Sequence, residues 1–285
     1  MSISVRTGRK RTAGAALAAV LLAGGAVSCG SEKSDKAGGD MAPAAAVKKA
    51  AAKSEDLTSF TFRMDGKVPG DGRVKAEAAM STKPLAMRME MSATDKGVPQ
   101  KAEIRLVGGG LYLGGGKEAA KEMDGKSWIK FPAKGLGKGT DKPGGTSLSA
   151  QADNNPADQS TLLTGSDDLK KVGTEKVEGV ETTRYTGTVT MDRLRELMKD
   201  EDAATKKRRE KSFKQYEDMG VEKLTMDMWI DGEDHTKQFR ARGKGDKGPL
   251  DMTITFIDYN KKVTITAPPA SQVMDIAKEM KGAQG

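Results

Sequence analysis

The chain has 285 residues and a formal net charge of +8, from 48 basic and 40 acidic side chains. Four of the basic residues and none of the acidic ones precede residue 29, so the remainder carries 44 basic and 40 acidic side chains. Such an even mixture of signs is typical of a solvated surface and argues against a nucleic-acid-binding protein.

The first 28 residues have the three parts of a bacterial signal peptide. A basic segment, residues 1–12, is followed by an uncharged run of Ala, Leu, Val and Gly at residues 13–26. Small residues then lead to Cys29, which is the only cysteine in the chain. The apolar run is too short to span a membrane comfortably, so we predict that residues 1–28 form a secretory signal peptide.

Cys29 stands directly after the predicted cleavage point, as in the lipobox of bacterial lipoproteins. In a lipobox a diacylglycerol is attached to the thiol, although Ala26 occupies the position where Leu is usual. The alternative is an ordinary secreted protein with a free thiol, which would oxidise readily outside the cell. We expect lipidation, with palmitate-type acyl chains that hold the protein at the extracytoplasmic face of the cell membrane.

Residues 29–43 are rich in Ser, Gly, Lys and Asp and have almost nothing to bury, which predicts a lipidated, flexible tether. The rest of the chain, residues 44–285, shows no second break in composition and no internal repeat. We therefore expect one domain there, and its first segment, residues 44–55, is rich in Ala and Lys and predicts a helix.

Alternation of apolar and polar residues dominates the first half of this domain and predicts strands. The predicted strands are residues 60–64, 73–80, 87–91, 104–107, 111–113 and 128–131. Residues 135–150 are rich in Gly, Lys and Ser and predict a loop, and residues 155–163 predict a short helix with Pro156 in its first turn.

In the second half, strands are predicted at residues 169–177 and 180–190, with a tight turn at Glu178-Gly179. A long helix is predicted at residues 191–220, ended by Gly220. Further strands are predicted at residues 224–230, 236–242, 251–259 and 262–266, before an amphipathic segment at 271–280. This order indicates an α+β fold, an antiparallel sheet with helices on one face.

Several local patterns are similar to those of the actinobacterial LppX/LprG-type lipoproteins, over about residues 47–273. They are residues 104–107 with 111–113, 128–129, 179–189, 228–231, and 256–260 with 263–269. The resemblance implies the LolA-like fold, an open half-barrel whose curved antiparallel sheet packs helices on its concave face. It also implies an apolar cavity that holds acyl chains or lipidated glycolipids.

Methionine is frequent, with 16 residues against 12 aromatic ones, and several lie on one face of alternating strands. Because thioether side chains adapt to irregular apolar partners, these rows suit a lipid site, although rows of this kind equally describe a filled core. Together with the resemblance they predict a ligand-cavity lining. The predicted lining residues are Phe60, Phe62, Met64, Met87, Met89, Met91, Ile104, Leu106, Leu224, Met226, Met228, Ile230, Met252, Ile254 and Phe256.

The sequence contains no strong catalytic or metal-binding motif. Residues 231–235 could ligate a metal, but a hairpin turn uses the same residue types, and His235 is the only histidine. The basic run at residues 206–209 is interpreted as the solvated face of a helix, with contact to an anionic membrane as the alternative. We therefore expect no enzyme, no metal and no cofactor.

The sequence thus predicts a lipid-anchored lipoprotein that binds a lipid or other long apolar ligand, either only holding it or also carrying it. The alternative is a non-enzymatic sensory or regulatory lipoprotein that uses the same fold to contact a membrane protein. No protein partner is specified by the sequence.

Overall fold

The computed structural model describes residues 41–70, 72–95, 98–132, 161–200 and 203–282. The predicted signal peptide, Cys29 and residues 29–40 of the predicted tether lie outside the described residues. The predicted loop at 135–150 and most of the predicted helix at 155–163 also lie outside them.

The helices are α1 (Pro43–Glu55), α2 (Gly116–Glu122), α3 (Met191–Leu197), α4 (Ala203–Asp218) and α5 (Ile276–Gly282). The strands of the first half are β1 (Ser59–Val68), β2 (Gly72–Thr82), β3 (Leu85–Asp95), β4 (Val98–Val107), β5 (Gly110–Gly114) and β6 (Trp128–Pro132). Those of the second half are β7 (Lys170–Val177), β8 (Val180–Thr190), β9 (Lys223–Asp231), β10 (Thr236–Gly245), β11 (Gly248–Tyr259) and β12 (Val273–Asp275). Short 3-10 helices occur at Thr161–Gly165, Met198–Asp200 and Ala270–Gln272.

All twelve described strands belong to one curved, open sheet, in the order β12-β6-β5-β4-β3-β2-β1-β11-β10-β9-β8-β7. Neighbouring strands are antiparallel except for β12, which pairs with β6 in parallel. The predicted fold class, an open antiparallel half-barrel with helices on one face, is confirmed. The parallel pair at the edge was not predicted.

Two-residue turns join several of the hairpins. Gly108 and Gly109, with φ of 59° and 71°, connect β4 to β5, and Glu178 and Gly179, with φ of 50° and 79°, connect β7 to β8. Positive φ at both central residues matches the right-handed twist of the flanking strands. The predicted turn at Glu178-Gly179 is therefore confirmed.

The long helix predicted at residues 191–220 is wrong as a single element. Helix α3 begins after Thr190, whose hydroxyl accepts a hydrogen bond from the Arg193 N–H at 3.2 Å, and a 3-10 turn follows at Met198–Asp200. Helix α4 then begins at Ala203. Met198, in the 3-10 turn after α3, is buried, so tertiary packing of this side chain overrides the continuous helical pattern of the sequence.

The strand predicted at residues 262–266 is also wrong, because this stretch has no regular structure. It connects β11, in the middle of the sheet, with β12 at one edge, and β1 to β6 lie between them in the strand order. A segment that crosses strands cannot pair along one of them. The Arg105 guanidinium donates to the carbonyl of Thr266 at 3.1 Å, and the Ser59 hydroxyl donates to that of Lys261 at 2.6 Å.

Candidate functional site

One face of the sheet, here called the apolar face, carries three cross-strand rows of apolar residues on β1 to β5. The pairing register aligns the members of each row, and successive rows are two residues apart, about 7 Å along the strand. The first row is Phe60, Met80, Met87, Leu106 and Leu111. The second is Phe62, Ala78, Met89, Ile104 and Leu113, and the third is Met64, Ala76, Met91 and Ala102.

Buried residues on the apolar face form two clusters. The helix-covered cluster combines side chains from the four strands β8, β9, β10 and β11 with side chains from helices. Its members are Ala46, Val47, Ala50, Leu162, Leu163, Tyr185, Val189, Met191, Leu194, Met198, Phe213, Tyr216, Val221, Leu224, Met226, Met228, Ile230, Phe239, Ala241 and Leu250. The strand cluster is Leu57, Phe60, Phe62, Ala76, Ala78, Met80, Met87, Met89, Ile104, Leu106, Leu111, Ile254 and Phe256. Among the described residues, the strand cluster contains no helical residue.

The structure divides the fifteen predicted lining residues between these clusters. Five lie in or against the helix-covered cluster: Leu224, Met226, Met228, Ile230 and Met252. Ten lie in or against the strand cluster: Phe60, Phe62, Met64, Met87, Met89, Met91, Ile104, Leu106, Ile254 and Phe256. The rows that look alike in sequence therefore belong to two different clusters on the same face.

Helices fill the space above the first group. Val47 and Ala50 of α1 are fully buried, and Phe213 and Tyr216 of α4 are nearly so. Leu224, Met226 and Met228 beneath them have no exposed surface. Burial raises the pKa of the Tyr216 hydroxyl to about 12, which agrees with an apolar interior at this position. These residues are packed as a core.

Sequence reasoning missed members of the strand cluster that lie on the same rows. Ala76 and Ala78 on β2 are too small to signal an apolar row, although the returning strand was predicted. Met80 and Leu111 each follow the same alternation and could have been found by extending the rows by one position.

Three phenylalanine rings form the aromatic part of the strand cluster. The centroids of Phe60 and Phe256 are 5.8 Å apart, those of Phe60 and Phe62 are 5.9 Å apart, and those of Phe62 and Phe256 are 6.1 Å apart. Tyr259 stacks against Phe256 at 6.0 Å, and its hydroxyl donates to the carbonyl of Thr236 at 2.6 Å. Burial raises the pKa of Tyr259 above its ordinary value.

The opposite face of the sheet, here called the charged face, holds a fully buried carboxylate. Asp227 on β9 accepts hydrogen bonds from Arg184 at 2.8 Å and from Arg242 at 2.5 Å. Burial alone would raise the pKa of Asp227, but the hydrogen bonds from the two guanidinium groups lower it below the usual value. Arg184 also lies 5.0 Å from the centre of the Trp229 ring.

A similar but more exposed group lies on the charged face of β3 and β4. Glu103 accepts from the Nε atoms of Arg88 at 2.8 Å and Arg105 at 2.7 Å, and Arg105 lies 4.7 Å from the Trp128 ring centre. Desolvation acts to raise the pKa of Glu103, and the two arginines lower it overall. Both groups order long side chains over the strands and act as structural supports.

Two open grooves, of about 490 and 530 Å³, lie on this charged face. Arg63, Glu77 and Glu90 line both of them, and Lys75 and Lys101 line the first. Charges of both signs in a shallow groove suit polar or protein contacts and do not suit an acyl chain.

Residues 231–235 form the turn between β9 and β10, as interpreted from the sequence. The Asp231 carboxylate accepts hydrogen bonds from the backbone N–H groups of Glu233 at 3.0 Å and His235 at 2.9 Å. Asp234 has a φ of 65°. Over the described ranges, no group of three His, Cys, Asp or Glu side chains is arranged to hold a metal ion.

The described part of the chain contains no helix that is long and apolar enough to cross a membrane. Membrane attachment through Cys29 concerns a residue outside the described ranges and stays a prediction.

No protein-family model matches the chain. It is 31% identical over 172 residues to an uncharacterised 31.2 kDa protein of Streptomyces griseus, which covers 60% of this chain and 55% of that protein. It is 26% identical over 187 residues to a Streptomyces coelicolor protein named as a lipoprotein, over 64% of this chain and 54% of the other. The chain thus spans about half the length of these curated relatives.

Among solved structures, lipoprotein LppX of Mycobacterium tuberculosis aligns with 80% of this chain and 100% of its own, at 16% identity and a TM-score of 0.49. LprF of Mycobacterium bovis aligns with 79% of this chain and 96% of its own, at 13% identity and a TM-score of 0.47. In these comparisons, as in its own sequence, the chain is similar to actinobacterial lipoproteins of the LppX type.

Proposed function

We propose that this protein is a non-enzymatic lipoprotein, anchored through Cys29 at the extracytoplasmic face of the cell membrane, whose strand cluster binds the acyl chains of a lipid. The observation that carries the proposal is the composition of that cluster. Thirteen buried apolar residues lie on strands and one adjoining loop, with no helical side chain among the described members.

Anchoring is supported by the sequence around Cys29. A basic segment, an apolar run and a cysteine at the predicted cleavage point occur in the order that lipoprotein signals require. A relative from Streptomyces coelicolor is named as a lipoprotein. Two acyl chains on Cys29 would bury enough methylene groups, at about 0.8 kcal/mol each, to keep the protein on the membrane.

Lipid binding is supported by the chemistry of the strand cluster. Its side chains are aromatic, aliphatic or thioether groups, and Met80, Met87 and Met89 lie at its centre. Methionine adapts its shape to apolar partners, and a surface of this kind selects a ligand by shape and apolar area. The helix-covered cluster has the same residue types, but helical side chains already pack against its strand residues.

The anchor is tested by growing cells with a radiolabelled fatty acid. We expect label on the wild-type protein, none on the Cys29→Ser variant, and release of that variant from the membrane fraction. A Cys29→Ser variant that remained in the membrane fraction and carried label would contradict lipidation at this residue.

Lipid binding is tested by native mass spectrometry of the full chain carrying Cys29→Ser, purified without detergent. We expect added mass that is extracted by organic solvent and identified as acylated lipid. Met89→Gln in the strand cluster should abolish this mass, whereas Leu194→Ala in the helix-covered cluster should retain it. A folded wild-type protein that neither carries nor takes up lipid would overturn the proposal.

A second candidate, a sensory or regulatory lipoprotein, is favoured by the grooves on the charged face. Arg63, Glu77 and Glu90 give these grooves charges of both signs, which suit a protein surface. Crosslinking in intact cells, with a photoreactive residue in place of Thr255, would capture a membrane protein if this function is correct. Capture of a partner by a lipid-free protein would favour the second candidate over the first.

A further inference from the structure

Leu85 is an exposed apolar side chain at the end of the sheet where β2 turns into β3. It continues the alternation of Met87 and Met89 by one position, but it is 51% exposed, against 4% and 7% for the two methionines. Of the large apolar residues that the structure describes, only Val172 is comparably exposed, at 52%. A single exposed leucine is common on protein surfaces, so its neighbours decide what it can contact.

Two of these neighbours are lysines. Lys83 lies in the β2–β3 turn and Lys262 follows β11, and both are exposed. Neither forms an ion pair with a carboxylate among the described residues, whereas Lys261 is neutralised by Asp258 at 2.5 Å. The positive charges of Lys83 and Lys262 are therefore available to an external partner.

Hydrogen bonds through Thr58 hold the two lysine-bearing segments at the same end of the sheet. The Thr82 N–H donates to the carbonyl of Thr58 at 2.8 Å, and the Thr58 N–H donates to the side-chain oxygen of Asn260 at 2.9 Å. On the other side of β3, the β4–β5 turn consists of Gly108 and Gly109 and adds no charge. Lys83, Leu85 and Lys262, here called the turn patch, thus combine one apolar side chain with two free cations.

We infer that the turn patch contacts the surface of the membrane that holds the anchor, with Leu85 in the interfacial region and the two lysines beside the phosphates of anionic phospholipids. This inference rests on the proposed anchoring through Cys29 and adds which surface of the domain faces the bilayer. The leucine gains by leaving water, and the lysines are attracted by the negative surface potential of such a membrane.

The length of the chain between the anchor and the turn patch permits this contact. The stretch from Cys29 to Pro43 spans at most about 50 Å when fully extended. Helix α1 has 13 residues, which corresponds to about 20 Å, and it ends three residues before Thr58. The turn patch therefore lies within reach of the bilayer to which Cys29 would be attached.

The contact is tested with the full lipidated chain in vesicles of phosphatidylglycerol and phosphatidylcholine. Because the thiol of Cys29 is occupied by lipid, a bimane label reacts only at an introduced cysteine, in Leu85→Cys or in the equally exposed control Val172→Cys on β7. The vesicles contain a lipid with a nitroxide on its acyl chain near the headgroup. We expect a blue shift and loss of emission for the label at residue 85 and neither change for the label at residue 172.

Equal quenching of the two labels, or no quenching at residue 85 in protein that is lipidated and bound to vesicles, would overturn the inference and leave the anchoring intact. Protein that carries no lipid and stays off the vesicles would contradict the anchoring itself and, with it, the inference. The two failures are thus distinguished.

The charge of the contact is tested by Lys83→Glu together with Lys262→Glu in the protein labelled at residue 85. We expect the membrane-inserted population of the label to fall by about tenfold or more, since basic residues contribute strongly to binding at an anionic surface. The matched reversal, Lys244→Glu with Lys247→Glu, lies at the β10–β11 turn, at the opposite end of the strands, and should leave the quenching unchanged. Unchanged quenching after reversal of Lys83 and Lys262, or an equal loss in both double variants, would contradict contact of these lysines with anionic headgroups.

Discussion

The helix-covered cluster and the strand cluster lie on the same face of one sheet, but helices contribute side chains only to the first among the described residues. Met226 and Met228 on β9 alternate with polar residues just as Met87 and Met89 on β3 do. The first pair is fully buried beneath helices, and the second pair is 4% to 7% exposed. The same pattern of residues therefore serves a core in one half and, by our proposal, a ligand in the other.

The charged face shows a parallel difference. Asp227 has no exposed surface and accepts from two arginines, whereas the side chain of Glu103 is 22% exposed beside Arg88 and Arg105. The half with the packed core also has the more deeply buried ion network. By our proposal, the half of the sheet with the packed core supports the half whose strand cluster binds a ligand.

The largest expected effect comes from truncating equivalent methionines in the two clusters. Met226→Ala should lower the free energy of unfolding by about 3 kcal/mol, because it leaves a cavity between the sheet and its helices. Met89→Ala should lower it by less, about 2 kcal/mol, because no described helical side chain packs against the strand cluster. Urea unfolding of the two variants measures both values, and equal losses would show that the strand cluster is packed as a core too.

Next in size is removal of the two charged-face carboxylates. Asp227→Asn should cost about 3 kcal/mol, since it leaves two arginines without their buried partner. Glu103→Gln should cost less than about 1 kcal/mol, because solvent screens its more exposed pairs.

The pH dependence of the same variants has a definite sign. The pKa of Asp227 is lower in the folded state than in the unfolded state. Its contribution to the free energy of unfolding is therefore present at neutral pH and is lost as the pH falls through and below about 4. Asp227→Asn should therefore flatten the acid side of the stability curve, as measured by thermal unfolding at a series of pH values. A variant curve parallel to that of the wild type would contradict this role.

A smaller effect is expected from ligand. Stearic acid at ten times its dissociation constant should stabilise the wild-type protein by about 1.4 kcal/mol through mass action. Leu194→Ala, in the helix-covered cluster, should be less stable without ligand but should be stabilised by stearic acid to the same extent as the wild type. Met89→Gln should not be stabilised by stearic acid. If Leu194→Ala instead lost the stabilisation by stearic acid, the ligand would bind at the helix-covered cluster, contrary to our proposal.

The smallest effect concerns Asp168, which fastens the segment before β7 to β8. Hydrogen bonds from the hydroxyls of Thr188 and Ser166 and from the Thr188 N–H lower the pKa of Asp168 to about 2. Its contribution is therefore present above about pH 4 and is lost as the pH falls toward 2.

Protonation of Asp168 should lower the melting temperature of the wild type slightly between pH 4 and pH 2. In Asp168→Asn this part of the decrease should be absent. Asp167→Asn is the control, because its carboxylate is 77% exposed and pairs only with Arg193 among the described residues. Indistinguishable behaviour of the two variants would contradict the assignment to Asp168.

Much of the fold follows from local sequence. The alternation at Phe60–Met64, Met87–Met91 and Leu224–Ile230 predicts strands and the face each residue occupies, because successive side chains on a strand point to opposite sides. The turn at Glu178-Gly179 follows from glycine's tolerance of positive φ. The break between α3 and α4 and the crossing segment before β12 depend on distant packing, and local patterns misread both.

The sequence by itself determined which residues are apolar and where most of the strands lie, and it predicts a signal peptide followed by Cys29. Only the tertiary structure decided that Leu224 to Ile230 lie beneath helices while Met87 and Met89 do not, and that Asp227 meets Arg184 and Arg242. The physical reason is that alternation specifies a face, whereas what covers that face depends on segments far away in the chain.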